Sequence, residues 1–534
     1  MEQPRNSHLD HHHQDNRAAK PTRVIHPFLF AIFPTLALFA HNTGQTFLGE
    51  ILWPMVVSFV FAAALLAITQ RTLRDSHRAG IVVSIFLALV FSYGHLVQAI
   101  QWRIGALTIT PGYLLLVIPA IVALLAAVRA RRSLEPFTRI LNVTAIALVM
   151  MPLLNIVAAD LRPATAQQPE LTSELVDRPA FSSTGSASSS DALPDIYYIV
   201  FDRYARADTL KEFYGFDNSQ FLNGLVQRGF YVASQSRANY LNTAQSLPCS
   251  LNMRHITDLS QTVGENSDDM KPLYAMLQDY TVWRFLKARG YQFIHLGSWW
   301  QPTRHNKHAD RNINLYSLPE FSQILYQTTL LYPLGLKFGI CDKNREQWKR
   351  VLYKFDQLAN IPAMSQPKFV FAHFLLPHDP YVFDQDGRFV TPEDARSKSR
   401  RELYVNQLVF TNRKAIEAID HILTRSARPP IIVVQADEGP FPLNRPQEEY
   451  QSPTFDWRTL TRAEWNQKMR ILNAYHLPGV DSSALYPSIT PVNSFRLIFN
   501  IYFQTKFELL PDESYAFVDA RHIYKFFNVT KEVD

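Results

Sequence analysis

Cysteine is scarce in this chain: its 534 residues hold two, Cys249 and Cys341, and no CxxC pair. That excludes zinc-knuckle and thioredoxin-type sites and limits disulfides to a single bond between these two, if their compartment is oxidising. A second shortage is local. Between Val24 and Ala159 charges are few and clustered in short connections, and no Asp, Glu or Lys falls mid-run. A proton-coupled transporter, which needs ionisable groups at membrane depth, is therefore unsupported. A basic outer surface is also missing. The +6 net charge comes mostly from residues 1–160, where 12 Lys/Arg face 7 Asp/Glu, and the remainder is nearly balanced. With no aromatic–basic recognition motif either, nucleic acid is not an expected partner.

Apolar length is abundant at the N-terminal end. A run of about 20 apolar residues can cross a bilayer as a helix, and five such runs occur at 24–41, 51–69, 79–98, 111–128 and 140–159. Pro34, Pro54, Pro119 and Pro152 lie in or near them, as membrane helices tolerate. A cleaved signal peptide would explain the first run but not the next four. Arg5, Arg17, Lys20 and Arg23 precede the first run. Arg71, Arg74 and Arg78 fill the second connection, and Arg129, Arg131, Arg132 and Arg139 the fourth, whereas the first connection has no Lys or Arg and the third only Arg103. Positive loops stay cytoplasmic. The expectation is a cytoplasmic tail (1–23), a five-helix transmembrane domain (24–160) and everything beyond it outside the membrane. His41 and His95 lie near span ends and read as interfacial. The His11, His12, His13 run reads as a solvated tail.

Residues 161–192 read as a flexible linker, with Pro163, Pro169 and Pro179 followed by a Ser-rich stretch from Ser182, a composition that cannot build a core. From 193 to 534 the pattern is that of a globular domain. Strand-like β-branched and aromatic runs occur at Ile196–Phe201, Tyr291–Leu296, Lys368–Leu376 and Pro430–Val434. Helix-like stretches alternate with them at Asp217–Arg228, Pro272–Arg289, Glu346–Ala359 and Arg400–Arg425. This alternation predicts an α/β domain, a mostly parallel sheet with helices on both faces. Active residues of such sheets gather beyond the strands' carboxyl ends, which points to Asp202, His373, His378, Asp437 and Glu438. Taken singly, an Asp after a strand is more often a turn or a helix cap, and Asp437-Glu438-Gly439 is also plain turn chemistry. As a set beside a hydroxyl-rich loop, hard oxygen ligands suit Mg²⁺, Mn²⁺ or Ca²⁺.

Several spaced motifs in 193–510 carry a family resemblance. Asp195–Arg206 reads Asp-Ile-Tyr-Tyr-Ile-Val-Phe-Asp-Arg-Tyr-Ala-Arg, followed by Tyr214-Gly-Phe-Asp-Asn, Arg228-Gly-Phe-Tyr and Asn239-Tyr-Leu-Asn-Thr. Further on come Gly297-Ser-Trp-Trp-Gln-Pro-Thr-Arg, His373-Phe-Leu-Leu-Pro-His-Asp-Pro-Tyr, Asn473-Ala-Tyr-His-Leu-Pro-Gly and Leu485-Tyr-Pro-Ser-Ile-Thr-Pro-Val-Asn-Ser-Phe-Arg. In this order they resemble membrane-bound sulfatase-like hydrolases and transferases of the alkaline phosphatase superfamily, similar to lipoteichoic acid synthases, which share a five-helix anchor.

The resemblance implies an alkaline-phosphatase-like fold behind the transmembrane bundle. It implies one divalent metal, Mn or Mg rather than Ca or Zn, held by Asp202, Thr243, Asp437 and Glu438. Thr243 would be the catalytic nucleophile, with Ser246 the fallback. His378 and His373 would bind substrate, and Trp300 and Arg304 would wall the pocket. Two positions depart from the family text: Arg203 stands where Gly is usual, and Glu438 replaces the His of Asp-His-Gly. The latter adds negative charge to the metal shell, which favours a hard cation and opposes an anionic substrate. Formylglycine chemistry is disfavoured, because Cys249-Ser250-Leu251-Asn252-Met253 lacks the Pro and Arg of Cys-x-Pro-x-Arg.

The implied activity is that of a membrane-anchored phosphotransferase or phosphodiesterase on envelope lipid-linked or glycan substrates. The alternatives are a simple phosphate or sulfate ester hydrolase and a catalytically silent binding module. The implied location is the cell (inner) membrane, with the C-terminal domain periplasmic or extracellular. Oligomeric state is not set by the sequence.

Overall fold

The computed structural model describes residues 22–104, 121–130, 132–160 and 193–533. The chain divides into two compact units. One gathers the N-terminal apolar helices together with Thr328–Leu330; the other takes His41–Glu50 and nearly everything described from 193 onward.

In the first unit, helices run over His26–His41 (α1), Leu48–Leu73 (α2), Ser76–Ile104 (α3) and Glu135–Asp160 (α4). Among the described residues, three stretches are long and apolar enough to cross a membrane, Leu48–Leu73, Ser76–His95 and Glu135–Ala158, whereas α1 is a shorter apolar helix. The fourth expected span, 111–128, falls largely outside the described residues, as do the linker and most of the N-terminal tail. Asn142 on α4 ties down the start of α1, donating to the Arg23 carbonyl at 2.7 Å and accepting from the His26 N–H at 3.0 Å.

The second unit is built on a seven-stranded sheet: β1 (Ile196–Phe201), β2 (Tyr231–Val232), β3 (Gln292–Leu296), β4 (Arg311–Ile313), β5 (Lys368–Phe374), β6 (Ile431–Gln435) and β7 (Asn473–His476), ordered β2-β7-β6-β1-β5-β3-β4. β1 lies at the centre with β5 and β6 parallel on either side, pairing Ile196 with Phe369 and with Ile431. β3 and β4 extend the parallel part, and β7 runs antiparallel to β6. Strands β8 (Tyr515–Phe517) and β9 (Phe526–Asn528) form a separate pair.

β1 shows why the sheet needs cover on both sides. Tyr197, Ile199 and Phe201 enter one core cluster, Ile196, Tyr198 and Val200 the other, and all six are at most 2% exposed. A strand buried on both faces reads as a continuous apolar run, and each such side chain stabilises by about 1.5–3 kcal/mol.

Helices α6 (Lys343–Asn360) and α7 (Arg400–Arg425) send Phe355, Leu408 and Ile419 into the first cluster; α8 (Pro491–Phe503) sends Phe495 and Phe499 into the second. α6 starts where the Asp342 carboxylate accepts from the Asn344 and Arg345 N–H groups, and α7 starts at a Ser399/Glu402 capping box.

The four anticipated strands and four anticipated helical stretches are all present. Pro272–Arg289 is two helices, broken at Asp279-Tyr280, where the Asp279 carboxylate accepts from Trp283 and Arg284. Among the elements that were not anticipated are β7, α8 and α5 (Thr243–Asn252). α5 carries Pro248 internally, which weakens the sequence signal for a helix, whereas Pro491 at the first position of α8 is a helix-start signal. Cys249 and Cys341 are both free.

Candidate active site

Three parallel strands aim their carboxyl ends at one point. Asp202 follows β1 directly, its N–H bonded to the Phe374 carbonyl at 2.9 Å. His373 is the penultimate residue of β5, and Asp437 lies two residues past β6. Their ligand atoms all fall within 4.8 Å of one another, with His373 Nε2 3.6 Å from Asp202 Oδ2. All three side chains are buried, yet Asp202 Oδ1, both Asp437 oxygens and His373 Nε2 meet no hydrogen-bond donor or acceptor. Unpartnered buried carboxylate oxygens are costly, and a divalent cation is the group that would satisfy all four atoms at once. Among the described residues this is the one cluster of three acidic or imidazole groups with that geometry.

The imidazole is fixed for this task. His373 Nδ1 bonds the Thr303 hydroxyl at 3.0 Å, which in turn bonds the Ser298 hydroxyl at 2.8 Å, so Nε2 is the nitrogen turned to the carboxylates. Burial pushes its pKa down to about 4, keeping the ring neutral as a metal ligand requires. Burial and then mutual repulsion among the acidic groups push Asp437 up, and burial also raises Asp202. Excess negative charge of this kind is what a bound cation relieves.

Thr243 opens α5, its Oγ1 3.4 Å from Asp202 Oδ2. As the first helical residue it sits at the positive end of the helix dipole, among N–H groups without intrahelical acceptors, where an anion is stabilised. Ser246, by contrast, is buried and donates to the Tyr240 carbonyl at 2.9 Å.

Glu438 is held by a cationic pair. Arg203 Nε donates to its Oε1 at 3.1 Å and Lys468 Nζ to its Oε2 at 2.5 Å, while Lys468 also reaches the Gly439 carbonyl at 3.0 Å. Lys468 is fully buried, and both cations stand over the Phe441 ring, at 4.3 and 4.7 Å. Burial opposes ionisation of Glu438, but Lys468 and Arg203 outweigh it and hold its pKa below the ordinary range. Arg203 has a left-handed backbone (φ 60°), a conformation glycine adopts most readily. Its other guanidinium nitrogen binds Asp379.

Thr243, Asp202, Arg203, His378, Asp379 and Glu438 share one cleft of about 670 Å³, with Trp300 in its wall. The Trp300 ring stands edge-on to His373 at 6.3 Å. Gln407 donates to the His378 carbonyl at 2.8 Å and to that of Pro377 at 3.2 Å, holding the loop that presents the imidazole. Arg304 is not in the cleft lining; it donates to the Ser317 carbonyl at 2.6 Å and lies over Tyr316. Thr303 and Lys468 carried no sequence signal, since their partners are 70 and 30 residues away.

Comparison with known proteins follows the same lines. A search of curated sequences found no match. Among solved structures, the integral membrane lipooligosaccharide phosphoethanolamine transferase A of Neisseria meningitidis is 14% identical, covers 90% of this chain and 94% of its own, and superposes with a TM-score of 0.38. The periplasmic domain of EptC from Escherichia coli is 12% identical over 64% of this chain and 94% of its own, with a TM-score of 0.39. An alkaline phosphatase superfamily protein of Vibrio parahaemolyticus is 10% identical over 61% and 73%, with a TM-score of 0.36. Likenesses this distant transfer no activity. The sulfatase family profile, however, matches residues 194–483, more than half of the chain and the stretch that bears the sheet, the carboxylates and the cleft. On that match, and as the motifs from Asp195 onward predicted, this chain belongs to the sulfatase family.

Proposed function

We propose that this chain is a membrane-anchored, metal-dependent phosphotransferase or phosphodiesterase, acting on lipid-linked or glycan substrates of the cell envelope through Thr243. The observation that carries this reading is the convergence of four unpartnered buried atoms, from Asp202, Asp437 and His373, beside the Thr243 hydroxyl. Asp202, Asp437 and His373 would hold one divalent ion with Thr243 as a further oxygen ligand, and Glu438 would stand outside the shell. Two carboxylates, an imidazole and a hydroxyl suit Mn²⁺ better than Mg²⁺ or Ca²⁺, with Zn²⁺ the competitor. When bound, the ion would lower the pKa of the attacking hydroxyl and offset negative charge on the transferred group.

The remaining steps belong to the chain's own residues. Thr243 gives up its hydroxyl proton to water in the cleft and its Oγ1 forms a bond to phosphorus as the ester P–O bond breaks; the leaving oxygen takes up a proton from water, and His378, in the same cleft, contacts the transferred group. The α5 dipole favours the anionic group. Water or an acceptor alcohol then attacks the phospho-threonine and frees the hydroxyl. The Arg203–Glu438–Lys468 network supports an active site over a silent one, because it neutralises the carboxylate that would otherwise repel an anion. The loop charges support an N-terminus inside, five crossings, and a catalytic unit outside.

The test is made on the purified full chain. Stoichiometric Mn²⁺, turnover of a phosphoester substrate, and its loss in Thr243→Ala with metal retained are expected, along with a phosphate mass trapped on the Thr243 peptide. An alcohol ester as product marks a transferase, free phosphate a hydrolase. A folded wild-type chain that takes up no divalent metal would sink the catalytic reading and leave a membrane-tethered binding module.

A further inference from the structure

Between β4 and α6 the chain makes two short helices, Glu320–Gln327 and Leu331–Lys337, that the catalytic reading does not use. From Phe321 to Cys341 the single charged residue is Lys337. Such a run would ordinarily be core, yet Leu334 is 51%, Phe338 72% and Ile340 57% exposed. Gly339 takes a left-handed conformation (φ 66°), and the Ile340 N–H returns to the Gly335 carbonyl at 2.8 Å. This turn gathers Phe338 and Ile340 around the helix end beside Leu334. A contiguous apolar surface of this kind marks an interaction site.

Its occupant is indicated by the connection between the two helices. Thr328–Leu330 belongs to the unit of apolar helices. The Leu330 N–H donates to the Val90 carbonyl at 2.8 Å, and the Gly94 N–H donates to the Thr328 carbonyl at 2.8 Å. A Cβ on Gly94 would stand 2.7 Å from Thr328 Cα, so glycine permits the approach. Val90 and Gly94 lie at the end of the membrane-length stretch Ser76–His95. Phe338 is eight residues beyond Leu330, which even fully extended spans less than about 30 Å. The exposed apolar residues are thus leashed to the end of a bilayer-length helix. The same segment also reaches the cleft, where Leu318, Gln323, Ile324 and Gln327 line it together with Thr243.

We propose that residues 315–340 form an interfacial element whose apolar side seats in the outer-leaflet lipid, and that lipid-borne substrate passes along it into the cleft. The first half stands on exposure and connectivity alone; the second rests on the proposed function. Lys337, the lone cation of the segment, suits anionic headgroups at the interface.

The test uses the full chain with Cys341→Ser and Phe338→Cys, nitroxide-labelled and reconstituted in phosphatidylethanolamine/phosphatidylglycerol vesicles; Cys249 is fully buried and escapes labelling. Collisions with oxygen are expected to rise, and those with a water-soluble nickel chelate to fall about tenfold, relative to a label at Arg388→Cys, as for a residue below the headgroups. Equal nickel access at both positions overturns the interfacial element. So does exclusion of both reagents, which would mean that protein covers the patch. In parallel, Leu334→Gln with Phe338→Gln is expected to cut turnover of a vesicle-borne substrate about tenfold and leave a soluble nitrophenyl phosphoester unaffected. Equal loss on both substrates overturns the access role. A wild type that turns over neither substrate would refute the catalytic reading, and with it the access role, and the label depth would still decide the interfacial element.

Discussion

Arg203 and Glu438 are hydrogen-bonded, Nε to Oε1 at 3.1 Å, and both side chains are buried. Arg203 puts a buried positive charge just past the end of β1, and Glu438 a buried negative charge beyond β6. Either charge alone would be expensive, whereas together with Lys468 they form a closed network. His373 enters the carboxylate cluster from the neighbouring strand β5.

Glu438→Ala is expected to destabilise the protein by about 3–5 kcal/mol, because it strands two buried cations. Adding Lys468→Met should recover a large part of that loss. Thermal melts of the full chain measure both, and metal titration alongside them is expected to show Mn²⁺ stoichiometry unchanged. Loss of metal with an unaltered melt would instead make Glu438 a ligand.

His373→Ala, Asp202→Asn and Asp437→Asn are each expected to abolish stoichiometric metal binding. Thr303→Val removes only the hydroxyl that orients His373 and should weaken Mn²⁺ about 10- to 100-fold, as loss of an outer-shell partner typically does. Calorimetric titration of the folded variants separates the two classes.

In the metal-free protein, Asp202 and Asp437 have pKa values raised above their unfolded ones by burial. Their contribution to stability is fully present below the ordinary carboxylate pKa of about 4 and is lost as pH rises toward neutrality. Glu438 is held low and acts in the opposite sense, losing its contribution only below its own ordinary range. The melting temperature of the metal-free wild type, read relative to a metal-free Asp202→Asn/Asp437→Asn variant, is therefore expected to fall as pH rises between about pH 4 and pH 7. Saturating Mn²⁺ should flatten or reverse that slope, since the ion binds the deprotonated carboxylates. The double variant itself should keep only the opposite slope of buried imidazoles such as His373, whose lowered pKa makes stability rise with pH.

Thr243→Ser keeps a hydroxyl at the start of α5 and is expected to retain measurable turnover, whereas Thr243→Ala should lose it by about 10³-fold or more, as nucleophile removal does. If the alanine variant keeps half of the wild-type rate, the nucleophile lies elsewhere.

Much of the architecture was legible because its signals are local. β1 matches its predicted limits, since six consecutive β-branched and aromatic residues admit few alternatives in a two-sided sheet. α7 also runs from Arg400 to Arg425 as read, with Ser399 and Glu402 marking its start. β7 was illegible as a strand: Asn473–His476 has only four residues, and Asn473 owes its place to bonds with Ser236 and Gln435 far along the chain.

What the sequence alone determined was the pair of classes, an apolar N-terminal segment and an α/β domain of the sulfatase family, together with the strand ends where chemistry gathers. Periodicity, charge clustering and ordered motifs are short-range properties, written into neighbouring residues. Tertiary structure alone decided the partners. It turned Glu438 toward Arg203 and Lys468, set His373 between two carboxylates, and moved Arg304 out of the cleft lining to brace a loop. A buried charge takes its meaning from whichever group lies within a few ångströms, and residues 30 to 235 positions apart become neighbours only when the sheet is assembled.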